Sequence, residues 1–471
     1  MQGTAYALET AMIAFRGFED VIRRVHEYGQ EHVFAFWDML DEPGRRELLN
    51  ELRSVDFSQM KDLYTRASQG ATQQPGFEPA PYIPLPASAG DRLEWERARE
   101  RGESEIRAGK VAAFLVAGGQ GSRLGFDGPK GMFRVGPVSG KTLFQIHAEK
   151  ILKYGRKYCV SIPWLIMTSE ANHEDTVSYL RGEKFFGLDG KDVLVFPQNM
   201  IPSMDERGRL ILEEPGRIFR NPDGHGGSLT ALAGSGALAE MERRGVRIIS
   251  YFQVDNPLVR IVDPVFIGFH AMREADISSK GLMKAYPGEK IGVFVRFEDG
   301  TTGVVEYSDL STELQEQRDA NGALRFCMGS IAIHLFGVSF LKSITGGSAL
   351  SLPFHVAKKK IRSHAAGGPI ELDGYKFEKF VFDALPLAPR NVVLETSRED
   401  EFAPVKNRTG VDSVDSAREL MTGQCRRWLA ERSIRVPGKV RVLEISPLCA
   451  VEAEDLPSNL SIPDSETVYL E

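Results

Sequence analysis

The chain has 471 residues, 42% hydrophobic and 26% charged, with a formal net charge of −7. That length exceeds one simple core and predicts two or three domains. The acidic balance excludes a global basic field for gripping nucleic acid, so an anionic ligand would need a local cationic pocket.

The opening stretch "MQGTAYALETAMIAF" lacks a basic n-region and carries Glu9 inside its apolar part, so it is not expected to act as a signal peptide. Two helical rhythms follow. "DVIRRVHEYGQEHVFAFWDML" places Val21, Ile22, Val25, Val33, Phe34 and Phe36 between charges, and "RRELLNELRSVDFSQMKDLYTRA" is similar. Asp41-Glu42-Pro43-Gly44 separates the two. The five prolines between Gln73 and Gly90 predict an extended connector and a domain boundary.

From Lys110 short apolar runs alternate with helix-like segments. Strands are expected at Val111–Val116, Trp164–Thr168, Val193–Phe196, Ile248–Val254, Gly292–Phe297 and Ile331–Phe336. Helices are expected at Thr142–Tyr158, Asn172–Leu180, Ser228–Met241 and Pro264–Glu274, with Thr142 and Gln145 as a capping box. This alternation predicts an α/β fold on a mixed, mostly parallel sheet. The end of the chain adds strands at Asn391–Glu395 and Val440–Ile445 and a helix over Ser416–Arg432. The expected division is a helical region with linker over 1–90, a catalytic domain over 91–388 and a small α/β domain over 389–471. No run of 18 apolar residues occurs, so no membrane partner is expected. The four cysteines form no CxxC pair, which argues against a structural zinc or a disulfide framework and makes the cytoplasm the expected setting.

The most informative stretch is "FLVAGGQGSRLGFDGPKGMF", Phe114 to Phe133, with six glycines, one proline and two cations behind an apolar run. Ligands of open α/β sheets bind beyond the carboxyl ends of the strands. Glycines there let backbone N–H groups approach a ligand, and Arg123 and Lys130 add charge, which together make a receptor for a polyphosphate. Two familiar loops do not fit. Leu124 stands where GxGxxG needs its third glycine, and "GPVSGKT" at Gly136–Thr142 is one residue short of a Walker A loop, so it is expected to be an ordinary turn. A carboxylate ending a buried strand, as Asp255 does in "ISYFQVD", is costly without a partner or a task, and one carboxylate completed by phosphate oxygens suits Mg2+.

The stretch "LVAGGQGSRLGFDGPKGM" resembles the signature LxxGGxGTRLGxxxPKG of the UDP-sugar pyrophosphorylases (the UDPGP family), and its Pro-Lys-Gly-Met ending resembles the UDP-N-acetylglucosamine pyrophosphorylase branch. "HVFAFWDML", "IPWLIMTS", "FPQNMIP", "YFQVDNPLVRIVDPVFIGF", "GVVEYSDL", "FHVAKKKI", "GYKFEKFVFDALP" and "REDEFAPVKN" are similar to further segments of that family, in family order. The resemblance implies a Rossmann-like nucleotidyltransferase core. It also implies a reaction in which UTP and a sugar 1-phosphate give a UDP-sugar and pyrophosphate, with Mg2+ as cofactor and only small molecules as partners.

The resemblance assigns roles residue by residue. Gly118, Gly119 and Gly224 would approach the nucleotide, and Gln198 would read the uracil edge. Arg123, Lys130, Lys376 and Lys406 would meet phosphates, and Asp255 would hold the metal. Glu306, Tyr307, Phe380 and Phe382 would line the sugar. The sequence departs from the branch at two sugar-facing positions, where His225 and Ser330 stand in place of the usual asparagines. The Gly-His-Gly version is more similar to glucose-1-phosphate and broad-specificity enzymes. Because the whole-chain resemblance is to the N-acetylglucosamine branch, N-acetylglucosamine 1-phosphate is the expected sugar, with glucose 1-phosphate or broad acceptance as the alternative.

Overall fold

The computed structural model describes residues 13–69, 75–346, 352–365 and 368–471. Residues 1–12 of the opening stretch and Gln73–Gln74 of the connector lie outside them. The chain forms two compact units, each assembled from segments remote in sequence, so they cut across the linear division at 90 and 388.

The larger unit comprises Pro75–Asn199, His225–Leu352 and Phe380–Glu471. Its ten-stranded sheet is built from β1 (Phe77–Pro79), β2 (Val111–Val116), β3 (Trp164–Thr168), β4 (Val193–Pro197), β5 (Ile248–Gln253), β6 (Ile277–Met283), β7 (Val293–Phe297), β8 (Thr302–Val305), β9 (Met328–Gly337) and β10 (Asn391–Glu395). The spatial order is β1-β7-β9-β5-β2-β3-β4, with β6 on β9 and β10, and β8 on β7. Strands β5, β2, β3 and β4 run parallel, as do β6 and β10, while β9 and β7 pair antiparallel with their neighbours. The run "VAAFLV" is apolar throughout because both faces of β2 are covered. Val111, Ala113 and Leu115 pack in one core, and Ala112 and Phe114 in another.

Helix Leu143–Tyr158 joins β2 to β3, and His173–Gly182 joins β3 to β4. Thr142 caps the first by accepting the Gln145 N–H at 3.2 Å, but the Gln145 side chain turns to Glu149, so half of the expected box forms. The helix expected over Ser228–Met241 is two helices, Gly227–Gly234 and Ala237–Arg243, broken where Gly236 takes φ 80. The proline-rich connector is extended and supplies β1, at a sheet edge where proline is tolerated. Near the C-terminus helix Val414–Glu431 packs with the parallel pair Val442–Ile445 and Thr467–Leu470.

The smaller unit comprises Met1–Gln74, Met200–Gly224 and Pro353–Lys379. Helices Glu19–Glu27, Glu42–Arg53 and Phe57–Gln69 share one core with Met204 and Phe377. The first rhythm stops early because Gly29 takes φ 65, and its later apolar residues fall in short turns at Glu31–Phe34 and Trp37–Met39. The hairpin His355–Ala365/Gly368–Glu378 carries Met204–Asp205 as a third strand. Among the described residues no helix is long and apolar enough to cross a membrane.

Candidate active site

The glycine-rich loop leaves β2 beside the ends of its parallel neighbours, because Val116 pairs with Met167 on one side and Gln253 on the other. Segments far apart in sequence are therefore delivered to one edge of the sheet, as expected for parallel strands. The loop folds on itself: Gly121 N–H donates to the Gly128 carbonyl at 2.9 Å, and Lys130 N–H to the Gly119 carbonyl at 3.0 Å. Gly118 runs close to Gln198, and a Cβ there would lie 3.5 Å from the Gln198 Oε1. Gln198, 8% exposed, follows β4 and is held by its N–H to the Thr168 carbonyl at 2.8 Å.

Lys130 Nζ reaches Asp255 Oδ2 at 3.5 Å, with 17% and 12% of the two side chains exposed. Val405 N–H donates to the Asp255 carbonyl at 2.9 Å, which draws Lys406 to the same strand end. Lys406 Nζ lies 3.8 Å from Asp412 Oδ2 and 5.7 Å from the Phe402 ring centroid. Asp255 and Lys406 line a cavity of about 700 Å³ together with His225, Glu306, Ser330 and Phe382. That volume lies within the range of sites for small organic ligands.

His225 and Phe382 of the cavity lining belong to an aromatic cluster. The His225 ring stacks on Phe380 at 5.2 Å and 16°, Phe382 lies 5.9 Å from it, and the two phenylalanines are 5.1 Å apart. His225 Nδ1 accepts the Val381 N–H at 3.1 Å, so the ring carries no proton there and the histidine fastens the segment that bears both phenylalanines. Ser330 lies where β9 bulges: the register slips between Ser279 and Gly281, and Ala332 takes φ 54. A bulge beside a cavity re-aims its residues, and here Ser330, Ile331, Ala332 and Ile333 all line the wall.

Of the other expected residues, Arg123 and Tyr307 do not line the cavity. Arg123 is exposed in the short turn Ser122–Leu124, with no hydrogen-bond or ion-pair partner among the described residues. Tyr307 is 40% exposed, and its carbonyl accepts from Gln315. Gly224 and Lys376 belong to the smaller unit. Gly224 takes φ 84, and a Cβ there would stand 2.4 Å from the Lys379 carbonyl, so no other residue fits. Lys376 Nζ stands 5.1 Å from the Phe219 ring centroid. Burial pushes the neighbouring Asp223 carboxyl up to about 6 despite the nearby Lys379, and one of its oxygens has no hydrogen-bond partner among the described residues.

Sequence reasoning missed several residues that hold this architecture. Asn172, 1% exposed, donates to the Ala117 carbonyl at 3.0 Å and the Gly119 carbonyl at 3.3 Å, and accepts the Ser169 N–H at 2.8 Å, which pins the start of the glycine-rich loop. Its only signal was an asparagine just past a strand end. The turn at Gly136–Ser139 does cradle an anion, but the anion is the protein's own: Glu444 accepts the Val138 and Ser139 N–H groups, each at 2.7 Å, and the Ser139 hydroxyl at 2.7 Å. Lys141 is likewise taken by Glu149 at 2.6 Å. Among the described residues no cluster of three or more His, Cys, Asp or Glu could hold a metal. Asp255 instead offers one carboxylate, a donor set that fits Mg2+ completed by phosphate oxygens and water.

A family model described as UTP--glucose-1-phosphate uridylyltransferase matches residues 60–451. UDP-N-acetylglucosamine diphosphorylase 2 of Arabidopsis thaliana is 36% identical over 462 residues, covering 93% of this chain and 90% of that protein. UDP-N-acetylhexosamine pyrophosphorylase-like protein 1 of Homo sapiens is 39% identical over 438 residues, covering 88% and 86%. Among solved structures, the uridine diphosphate N-acetylglucosamine pyrophosphorylase of Trypanosoma brucei superposes with a TM-score of 0.83 at 27% identity, covering 98% of this chain and 99% of that one. A match over most of the chain, on a parallel sheet edge that carries the glycine-rich loop, shows that this chain belongs to the UTP--glucose-1-phosphate uridylyltransferase (UDPGP) family.

Proposed function

We propose that this chain is a uridylyltransferase that joins UTP to N-acetylglucosamine 1-phosphate, giving UDP-N-acetylglucosamine and pyrophosphate. The observation that carries this is the cavity in which Asp255 and Lys406 share a wall with His225, Glu306, Ser330 and Phe382. It combines charge for phosphates with an aromatic and polar surface for a sugar. A phosphate oxygen of the sugar 1-phosphate attacks the α-phosphorus of UTP, the bond to the β-phosphate oxygen breaks, and its electron pair leaves on pyrophosphate. Positioning and charge neutralisation carry such a transfer.

Backbone N–H groups around Gly118 and Gly119 take the nucleotide, and Gln198 offers uracil both a donor and an acceptor. Lys130, Arg123 and Lys406 neutralise the transferred and departing phosphates. Asp255 holds Mg2+, which when bound draws charge from the phosphoryl oxygens. The N-acetyl sugar is favoured by the relatives' own names. His225 and Ser330 favour a second reading, glucose 1-phosphate or broad acceptance, since neither residue requires an acetamide partner. The four cysteines are all free, which supports a reducing, cytoplasmic setting.

The test is a panel of sugar 1-phosphates with UTP, followed by pyrophosphate release. Turnover is expected with both N-acetylglucosamine 1-phosphate and glucose 1-phosphate, the N-acetyl sugar modestly preferred. Glucose 1-phosphate used alone overturns the sugar assignment, and no pyrophosphate from any sugar overturns the transferase.

A further inference from the structure

Asp255 is followed by Asn256, 5% exposed, whose side chain uses both of its ends. Nδ2 donates to the Glu401 carbonyl at 2.6 Å. Oδ1 accepts the Ala403 N–H at 3.1 Å and the Leu258 N–H at 3.3 Å. The next tie along the same segment is the Val405 N–H to the Asp255 carbonyl, at 2.9 Å. Alternate residues 401, 403 and 405 are thus each fastened to the dipeptide Asp255-Asn256, and Lys406 comes next in the chain. Glu401 is held from its other end as well: its carboxylate takes the buried Lys280 ammonium, which also bonds Asp263 at 2.6 Å, and the Thr396 hydroxyl at 3.1 Å.

We infer that Asn256 is a positioning residue for uridylyl transfer, whose amide fixes the Lys406 ammonium relative to the Asp255 carboxylate. The inference rests on the proposed function, because only there do Asp255 and Lys406 act on one reacting phosphate. An amide is the side chain this position needs, because one partner is a carbonyl and the others are N–H groups. With the amide gone, one hydrogen bond among the described residues, from Val405, still joins the segment to Asp255-Asn256 directly. A displacement of about 1 Å at a reacting centre can cost about a hundredfold in rate.

Two variants separate the parts. Asn256→Asp keeps the volume and the acceptor for Ala403 and Leu258 but loses the donor to Glu401, whereas Asn256→Ala removes all three bonds. In the full-length protein, Asn256→Asp is expected to lower kcat about 10- to 100-fold. The dissociation constant of UTP, measured by calorimetry without sugar phosphate, should stay within about twofold, since Gln198 and the glycine-rich loop hold the nucleotide. A merely structural role would not produce the decisive result. The double variant with Lys406→Ala should be no more than about threefold slower than Lys406→Ala alone, because the amide acts through that lysine. Should the Asn256 variants fail to fold, Ala403→Pro, which deletes the N–H facing Oδ1, carries the same comparison. Wild-type-like kcat in the folded variants, or losses that multiply in the double variant, overturns the inference. A wild type that releases no pyrophosphate refutes the function itself, a different result from an active wild type with unaffected variants.

Discussion

Replacing Lys130 removes an ammonium that stands 3.5 Å from Asp255 Oδ2 at the head of two parallel strands. Two consequences of different size follow. At an effective dielectric of about 20, the Coulomb attraction across that distance is about 5 kcal/mol. Water at the cavity mouth replaces much of it, since 17% and 12% of the two side chains are exposed, so the cost to folding is about 1–2 kcal/mol. The cost to the transition state is larger. A preorganised charge donor aimed at the reacting group contributes about 2.7–4 kcal/mol, or about 10²–10³ in kcat. Lys130→Met keeps the aliphatic stem, whose Cε passes 3.8 Å from where a Gly119 Cβ would stand, while Lys130→Ala removes stem and charge together. If charge is what matters, both variants lose turnover alike. The assay is initial-rate pyrophosphate release on purified protein, with folding followed by circular dichroism and thermal unfolding. A folded Lys130→Met enzyme that keeps kcat/KM within about threefold of wild type would refute the reasoning.

Asp255→Ala is expected to abolish magnesium-dependent turnover while uridine-nucleotide binding, followed by calorimetry, survives; an unchanged rate and metal requirement would remove Asp255 from the site. His225→Asn with Ser330→Asn is expected to raise the preference for N-acetylglucosamine 1-phosphate over glucose 1-phosphate about tenfold or more, because a partnered amide discriminates more sharply than an apolar contact; kcat/KM ratios equal to wild type would contradict this. Burial drives His147 and His334 down to about 3 and His270 to about 4, against 6.5 for an ordinary imidazole. Between pH 6.5 and about 4 the unfolded chain therefore binds protons that the folded chain refuses. Stability must fall as pH is lowered through that window, by up to about 1.4 kcal/mol per pH unit for each histidine. Urea unfolding checks this, and a flat profile from pH 6.5 to 5 would show that the three rings take up protons in the native protein as they do in the unfolded chain.

Features that depend on near neighbours in the chain were legible in the sequence. The strand Val111–Val116 ends where its apolar run ends, and the strands around Trp164, Val193 and Asn391 and the Thr142 cap follow from composition and local hydrogen bonding. The glycines behind β2 announced a loop that runs close to its neighbours, as Gly118 does to Gln198. What lay hidden depends on partners remote in sequence. That Lys130 meets Asp255 follows from the pairing of β2 with β5, which no local pattern encodes. The spacing of Gly136–Thr142 already spoke against a Walker A loop, but that Glu444, some three hundred residues later, fills the turn depends on the folded chain. Likewise, Asn172 and Asn256 are single amides without periodicity, and their carbonyl and N–H partners become known only when the chain has folded back on itself. Side-chain chemistry and local spacing are written in the sequence, whereas the filling of a hydrogen-bonding site is settled by whichever segment the sheet brings alongside it.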